Sequence, residues 1–506
     1  MPALKKPADG SRSSFVTRAS QRRVALPSGL NAIINIFMTL LPMPHCCSCC
    51  AVHNTMLRKK FRAFQVETLM NKLFYHMYEL GQASLAPARA FSDFTKLALK
   101  NPINPLSHTP MGKKIAASAE LFERMTRRYT KPAFGLATTN VAGVRVAVEE
   151  KIVWEKPFCS LVHFERQVKL SKPQPKLFIV APMSGHFATL LRGTVEAFLP
   201  THEVYITDWV DARMVAPSDG AFDLDDYIDY LIAMCRMLNS DNAGVGLHTL
   251  GVCQPSVPLL AAVARMEAEN DACVPASMTL MGGPIDTRKS PTAVNRLAQE
   301  RGTKWFEQHC VQTVPFPYPG TGRHVYPGYL QLSGFMAMNY DRHVSAHRDM
   351  FEHLVRGDGD LAEKHREFYD EYLAVMDLTA EYYLQTVETV FVKHSLPEGT
   401  MLHRGKPVDL TAISRCGLMT VEGENDDISG VGQTYAAQEL CTAIPPDRKQ
   451  HYLQKGVGHY GVFNGSRFRA EIAPRICDFI ANIEFLNRRS KQPDRPAPAG
   501  LLQAVS

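Results

Sequence analysis

The sequence predicts an α/β fold, a mostly parallel, doubly wound sheet with a helical cap insertion, and three observations carry that expectation. Between residues 176 and 281 short apolar runs alternate with helix-length stretches, which is the punctuation of βαβ units. The β pattern lapses between about Ile285 and Thr400 and resumes at Cys416. One more strand and one long helix then close the chain, as expected of an open sheet covered on both faces.

Composition bounds the function classes. The 506 residues are 45% hydrophobic and 21% charged, which excludes a disordered or fibrous chain. The net charge of +6 misleads: residues 1–69 hold ten Lys and Arg against two acids, a local +8, and the remainder is −2. Such a body is no nucleic-acid surface. Of twelve cysteines, Cys46, Cys47, Cys49 and Cys50 form one cluster and eight are scattered from Cys159 to Cys477, a pattern of reduced thiols and a cytoplasmic setting. The cluster has no downstream Cys or His pair at zinc-ligand spacing, so no metal is expected. The apolar run Leu30–Leu41 is too short to span a bilayer, runs into Pro42 and Pro44, and is followed by no signal-peptide cleavage pattern. Residues 1–69 are therefore expected to be a disordered extension, with palmitoylation of the Cys cluster as the alternative.

The elements follow in order. Met70–Leu80, Ala86–Leu99 and Gly112–Tyr129 read as helices, with Pro102 and Pro105 as breakers. Residues 150–168 alternate apolar and polar, predicting an antiparallel hairpin or edge strand. Strands are expected at Lys176–Ala181, Glu203–Thr207, Gly244–Thr249 and Ala276–Met281, interleaved with helices near Leu190, over Leu224–Leu238 and over Ser256–Glu269. In the insertion, Tyr329–Asn339, Val344–Val355 and Leu361–Phe391 read as helices. Cys416–Glu422 and Gln450–Gln454 resume the sheet, and Arg467–Asn487 is the closing helix. The expected organisation is thus an extension (1–69), helices and the first part of the core (70–284), a helical cap or lid (285–400), the rest of the core (401–487) and a flexible tail (488–506). No internal repeat is visible.

The chemistry starts at Leu247-His248-Thr249-Leu250-Gly251-Val252-Cys253-Gln254-Pro255, where a strand runs into a helix through Gly-x-Cys-x-Pro. This pattern reads as a nucleophile elbow, a strained turn that needs a small neighbour and lifts the nucleophile above the sheet. Cys253 is the candidate nucleophile. Pro255 replaces the second Gly of the usual motif, which the first helical turn tolerates. Past the next-to-last strand, Gly423-Glu424-Asn425-Asp426-Asp427 puts acids where open sheets assemble sites; Asp426 is the candidate orienting acid, and Asp427 can exchange roles with it. Past the last strand, Lys455-Gly456-Val457-Gly458-His459 offers His459 as the base. The order Cys253, Asp426, His459 is that of nucleophile, acid and base in the α/β-hydrolase fold. Oxyanion donors are expected from the backbone of Gln254 and of Ser184, in the turn after the first parallel strand.

These residues resemble the intracellular poly(3-hydroxybutyrate) depolymerases, cysteine α/β-hydrolases that mobilise bacterial storage granules. The likeness spans roughly residues 70–487 and rests on five blocks: GVCQPSVP at Gly251–Pro258, TDWVDAR at Thr207–Arg213, MGGPIDTRKSPTAVN at Met281–Asn295, VEGENDDISGVGQT at Val421–Thr434 and KGVGHYGVFNGSRF at Lys455–Phe468. It implies hydrolysis of amorphous polymer to 3-hydroxybutyrate oligomers or monomer through Cys253, Asp426 and His459. It also implies no metal or organic cofactor and a cytoplasmic place at the granule surface. CoA is a second candidate acyl acceptor. Two alternatives stand beside it. One is a polyhydroxyalkanoate synthase using hydroxyacyl-CoA on the same Cys-Asp-His set, although synthases carry Gly where this chain has Pro255. The other is a non-catalytic granule-surface protein adhering through Phe335, Met336, Met338 and Tyr340.

Overall fold

A computed structural model describes residues 73–240, 245–338 and 340–491. The expectations for residues 1–69 and for most of the tail lie outside the described residues. Fourteen strands are defined in chain order: β1 Thr138–Val141, β2 Val144–Lys156, β3 Cys159–Arg166, β4 Lys176–Val180, β5 Glu203–Trp209, β6 Leu247–Val252 and β7 Ser277–Met281, then β8 Gln312–Thr313, β9 His324–Tyr326, β10 Leu378–Thr379, β11 Leu402–His403, β12 Lys406–Pro407, β13 Gly417–Gly423 and β14 Lys449–Gln454. Nine of them form one sheet in the order β1-β2-β3-β5-β4-β6-β7-β13-β14.

The hairpin β2–β3 is antiparallel and enters the sheet against β5, also antiparallel, while β5, β4, β6, β7, β13 and β14 run parallel. From β2 onward this is the α/β-hydrolase strand order, with the direction of chain travel reversing at β4. The two strands beside that reversal, β4 and β6, pair with Val180 opposite Gly251. The carboxyl ends beyond that pair are the crevice in which such sheets bind ligands. β4, β6, β7 and β13 are buried along nearly their whole length, which explains their continuous apolar runs, whereas β2 alternates and keeps one face in water.

The insertion between β7 and β13 differs from the sequence expectation in two ways. It contains strands as well as helices, since β8, β9 and β10 form a small antiparallel sheet. These pieces are two or three residues long, too short to leave a periodic signal. The single helix expected over Leu361–Phe391 is broken: Gly359–Tyr372 is α-helical, residues 373–379 are extended or turning through β10, and Ala380–Thr386 resumes as helix before a π-helical turn at Val387–Val392. The break serves tertiary pairing, because His186 bridges Val375 and the Met376 N–H donates to Gly185 O at 2.7 Å. The closing helix likewise begins with a π-helical turn, Phe468–Ile472, and runs on to Lys491, past the expected end.

A buried polar knot ties this insertion to the sheet and to the first helix. The Tyr75 hydroxyl donates to Asp377 Oδ2 at 2.6 Å, and Asp377 Oδ1 accepts from the Gly328 N–H at 2.9 Å. The Asp377 N–H donates to Asp211 Oδ1 at 3.1 Å, and Arg213 pairs with Asp211 at 2.8 Å. Burial, reinforced by the neighbouring Asp377, pushes Asp211 up to about 7. Asp211 and Arg213 come from the TDWVDAR stretch, so that block shapes the support of the insertion.

Candidate active site

Cys253 sits between β6 and the Ser256–Ala268 helix with φ of 66°, in the left-handed region that non-glycine residues rarely occupy. Such a conformation costs about 1–3 kcal/mol and persists only where the surroundings over-determine it. Here the Cys253 N–H donates to Met281 O at the end of β7 (2.7 Å), and Cys253 O accepts from the Ser256 N–H (3.0 Å). At Gly251 a Cβ would lie 3.0 Å from Leu259 Cδ2, which would have to shift, and at Gly283 a Cβ would overlap Ser256. Cys253 is half-buried, whereas Cys159, Cys235, Cys416 and Cys441 are buried.

Asp426 and His459 lie on two loops stitched together at the ends of β13 and β14. The Asn425 N–H donates to Val457 O (2.9 Å), the Glu424 N–H to Gln454 O (3.0 Å) and the Gly456 N–H to Glu424 Oε2 (2.8 Å). His459 Nδ1 is 2.8 Å from Asp426 Oδ2 in a buried contact. The other carboxylate oxygen, Asp426 Oδ1, accepts from the N–H groups of Ile428 (2.9 Å) and Ser429 (2.8 Å). Asp427 is exposed, so the structure gives the histidine to Asp426. Burial alone would push the imidazole toward its neutral form, but the Asp426 charge and the Cys253 side chain outweigh it and raise His459 well above its usual pKa. Gly282, at φ of 56°, leaves room for the pair: a Cβ there would lie 3.3 Å from His459 Cε1 and 3.4 Å from Asp426 Oδ2.

A residue the sequence reading passed over holds the acid loop. Glu422, in β13, is 2% exposed; its Oε1 accepts the N–H groups of Thr434 (2.8 Å), Tyr435 (2.9 Å) and Gly432 (3.0 Å), and Oε2 shares the last at 3.0 Å. Thr434 Oγ1 in turn accepts from the Gly283 N–H at 2.8 Å, linking the acid loop to the turn beside Cys253. A charged residue inside the apolar run LMTVEG was the available signal.

Gln254 opens the Ser256–Ala268 helix and Ser184 lies in the turn after β4, so both sit at the same end of the neighbouring strands β4 and β6. The insertion clamps that turn. His186 Nε2–H donates to Tyr372 O at 3.1 Å, and burial lowers His186 to about 4, leaving it neutral. Phe335, named above as an adhesive candidate, packs toward His186, with ring centres 5.8 Å apart. Tyr372 also approaches Tyr460, the neighbour of His459, at 6.0 Å. Aromatic side chains of the insertion thus roof the imidazole loop.

Comparison with known proteins adds three findings. Residues 282–484 match the family described as PHB de-polymerase C-terminus, a stretch that contains Asp426 and His459 but begins after Cys253. A poly(3-hydroxyalkanoate) polymerase subunit PhaC from Haloferax mediterranei is 20% identical over 342 residues, 65% of this chain, and the match spans 63% of that relative's length. Solved structures of similar fold include an esterase from Thermogutta terrifontis (11% identical, covering 69% of this chain and 97% of that one, TM-score 0.34) and a haloalkane dehalogenase from Bradyrhizobium elkani (13%, 67% and 99%, TM-score 0.37). Among the described residues no helix is long and apolar enough to cross a membrane, and no group of three or more His, Cys, Asp or Glu is placed to hold a metal. The chain has the α/β-hydrolase fold and carries, in residues 282–484, a region similar to the C-terminal part of polyhydroxybutyrate depolymerases.

Proposed function

We propose that this protein hydrolyses the ester bonds of amorphous poly(3-hydroxybutyrate) through Cys253, His459 and Asp426. The observation that carries the reading is the buried 2.8 Å His459–Asp426 contact beside a cysteine held in left-handed backbone at a strand-to-helix turn. His459 takes the thiol proton as Cys253 Sγ attacks the ester carbonyl, and Asp426 fixes the ring tautomer and offsets the imidazolium charge. The oxyanion is held by backbone N–H groups at Gln254 and Ser184. As the tetrahedral centre collapses, the C–O bond breaks and His459 returns its proton to the departing 3-hydroxyl oxygen, leaving a thioester on Cys253. Water then gives a proton to His459 and attacks the thioester; the acid leaves and the thiol regains its proton. No metal or organic cofactor takes part, and the enzyme works at the surface of storage granules in the cytoplasm.

The polymerase relative supports a second reading, in which the same thioester is formed from hydroxyacyl-CoA and passed to a growing chain. One assay separates them: 3-hydroxybutyrate release from amorphous granules without CoA, for the wild type and Cys253→Ala, alongside incubation with 3-hydroxybutyryl-CoA. Release by wild type alone supports the depolymerase. Polymer formation from the CoA thioester without release supports the synthase, and equal release from granules by the two proteins removes Cys253 from the mechanism.

A further inference from the structure

Three polar side chains lie buried beside Cys253 and find partners only in one another. Tyr382 is 1% exposed, Thr386 7% and Gln254 9%, and the Tyr382 and Thr386 hydroxyls and both amide atoms of Gln254 make no direct hydrogen bond to the surrounding protein. Buried polar groups are satisfied in the great majority of cases, so a polar cluster closed on itself beside the nucleophile keeps hydrogen-bonding capacity for a ligand. The groups face one another: the Tyr382 side chain interacts with the Thr386 hydroxyl, the Gln254 amide and Cys253. Gln254 follows Cys253 directly, and Tyr382 and Thr386 stand four residues apart on one face of the Ala380–Thr386 helix of the insertion.

The cluster is held from behind. The Tyr382 ring stacks on Tyr227 with centres 5.6 Å apart, and the Tyr227 hydroxyl reaches Ala181 O, just before the Ser184 turn, at 3.4 Å. The helix is pinned to the core where the Thr379 hydroxyl donates to Phe222 O (2.6 Å) and Gln385 Oε1 accepts from the Leu224 N–H (2.8 Å). These contacts fix the two hydroxyls in place beside Cys253.

We propose that Gln254, Tyr382 and Thr386 form a subsite for the free 3-hydroxyl of the acyl unit carried on Cys253, an inference that rests on the thioester chemistry proposed above. A hydroxyl both donates and accepts, which matches an amide offering both roles beside two hydroxyls. The in-chain ester oxygen of a polymer interior only accepts, so it can meet the donors of the cluster but offers nothing to its acceptors. The subsite therefore favours the hydroxyl-terminal unit, and the chain is shortened from that end.

The test is pre-steady-state acylation of the full chain by p-nitrophenyl esters of 3-hydroxybutyrate, butyrate and 3-acetoxybutyrate, read as the burst of p-nitrophenolate. The wild type is expected to prefer the 3-hydroxy ester over the other two by at least about 100-fold, since a site built around a substrate hydroxyl strongly rejects analogues lacking it. Tyr382→Phe and Thr386→Val should each lower that ratio by about tenfold or more. A wild type that acylates equally with all three esters overturns the subsite whether or not the variants fold. So does a preference that survives both substitutions. A wild type that releases p-nitrophenolate no faster than Cys253→Ala on any ester overturns the thioester chemistry, and the subsite with it.

Discussion

Replacing Glu422 by Gln tests whether a carboxylate that touches no substrate sets the position of Asp426. Three backbone N–H groups converge on Oε1 and one of them also reaches Oε2, all between 2.8 and 3.0 Å, in a site that is 2% exposed. With its oxygen at the Oε1 position, Gln keeps three bonds but loses their charge, and its NH2 group abandons the shared contact to Gly432. Hydrogen bonds to charged groups contribute about 1.5–3 kcal/mol against about 0.5–1.5 for neutral ones, so three weakened bonds amount to about 3 kcal/mol. Glu422→Ala strips all of them, leaving the buried Thr434 N–H and the part-buried Gly432 and Tyr435 N–H groups without this acceptor, on the order of 5 kcal/mol at about 1.5–3 kcal/mol per lost bond. Urea unfolding should show the midpoint falling with unchanged slope, more for Ala than for Gln. Granule turnover should fall in Glu422→Gln beyond what the unfolded fraction explains, because the loop bearing Asp426 loosens. A Gln variant within about 0.5 kcal/mol of wild type with full turnover would refute the reasoning, since surface-like changes lie in that range.

Further expectations follow from the same geometry. Asp426→Asn keeps an oxygen for the Ile428 and Ser429 N–H groups but presents an NH2 group to His459, so folding should survive while turnover drops by about 10³–10⁴; circular dichroism with granule kinetics checks both. The His459 pKa is raised on folding, so its pairing stabilises the protein fully below the unfolded value of about 6.5 and ceases to do so as pH rises through the folded value. The stability gap between wild type and His459→Gln, followed by urea melts, should therefore be widest at acidic pH and narrow toward alkaline pH. Gly283→Ala drives a methyl group into Ser256 and toward Cys253 O at 3.0 Å, and should cost about 1–3 kcal/mol with lower turnover. Tyr75→Phe leaves Asp377 Oδ2 without its 2.6 Å donor in a buried place and should cost about 1–3 kcal/mol, read as a lower thermal midpoint.

The parts of the fold legible in the sequence were those with strong local signals. β4, β6, β7 and β13 are buried strands apart from Lys176 at the start of β4, and their mostly apolar runs end in the turns that carry Ser184, Cys253, Gly282 and Asp426. Position past a strand end was enough to pick His459 and the pair Asp426 and Asp427, and the structure brings His459 and Asp426 together. Preference for Asp426 over Asp427 was not legible, because it depends on which side chain the turn buries. β8, β9 and β10 escaped because two- and three-residue strands have no period, and the break at 373–379 is imposed by pairing with Gly185 and His186, far away in sequence. Tyr75, Asp211 and Asp377 meet across 302 residues of chain, which no local pattern can announce. Gln254 was chosen for its backbone alone, and the open side chain beside Tyr382 emerges only when the insertion is folded over it.

The most direct measurement is peptide mapping by mass spectrometry of wild-type protein acid-quenched during turnover of amorphous poly(3-hydroxybutyrate). A 3-hydroxybutyryl adduct is expected on the peptide containing Cys253, absent from the peptides of the other cysteines and absent from Cys253→Ala. Turnover that proceeds with Cys253 unmodified, and at full rate in Cys253→Ala, would contradict that expectation.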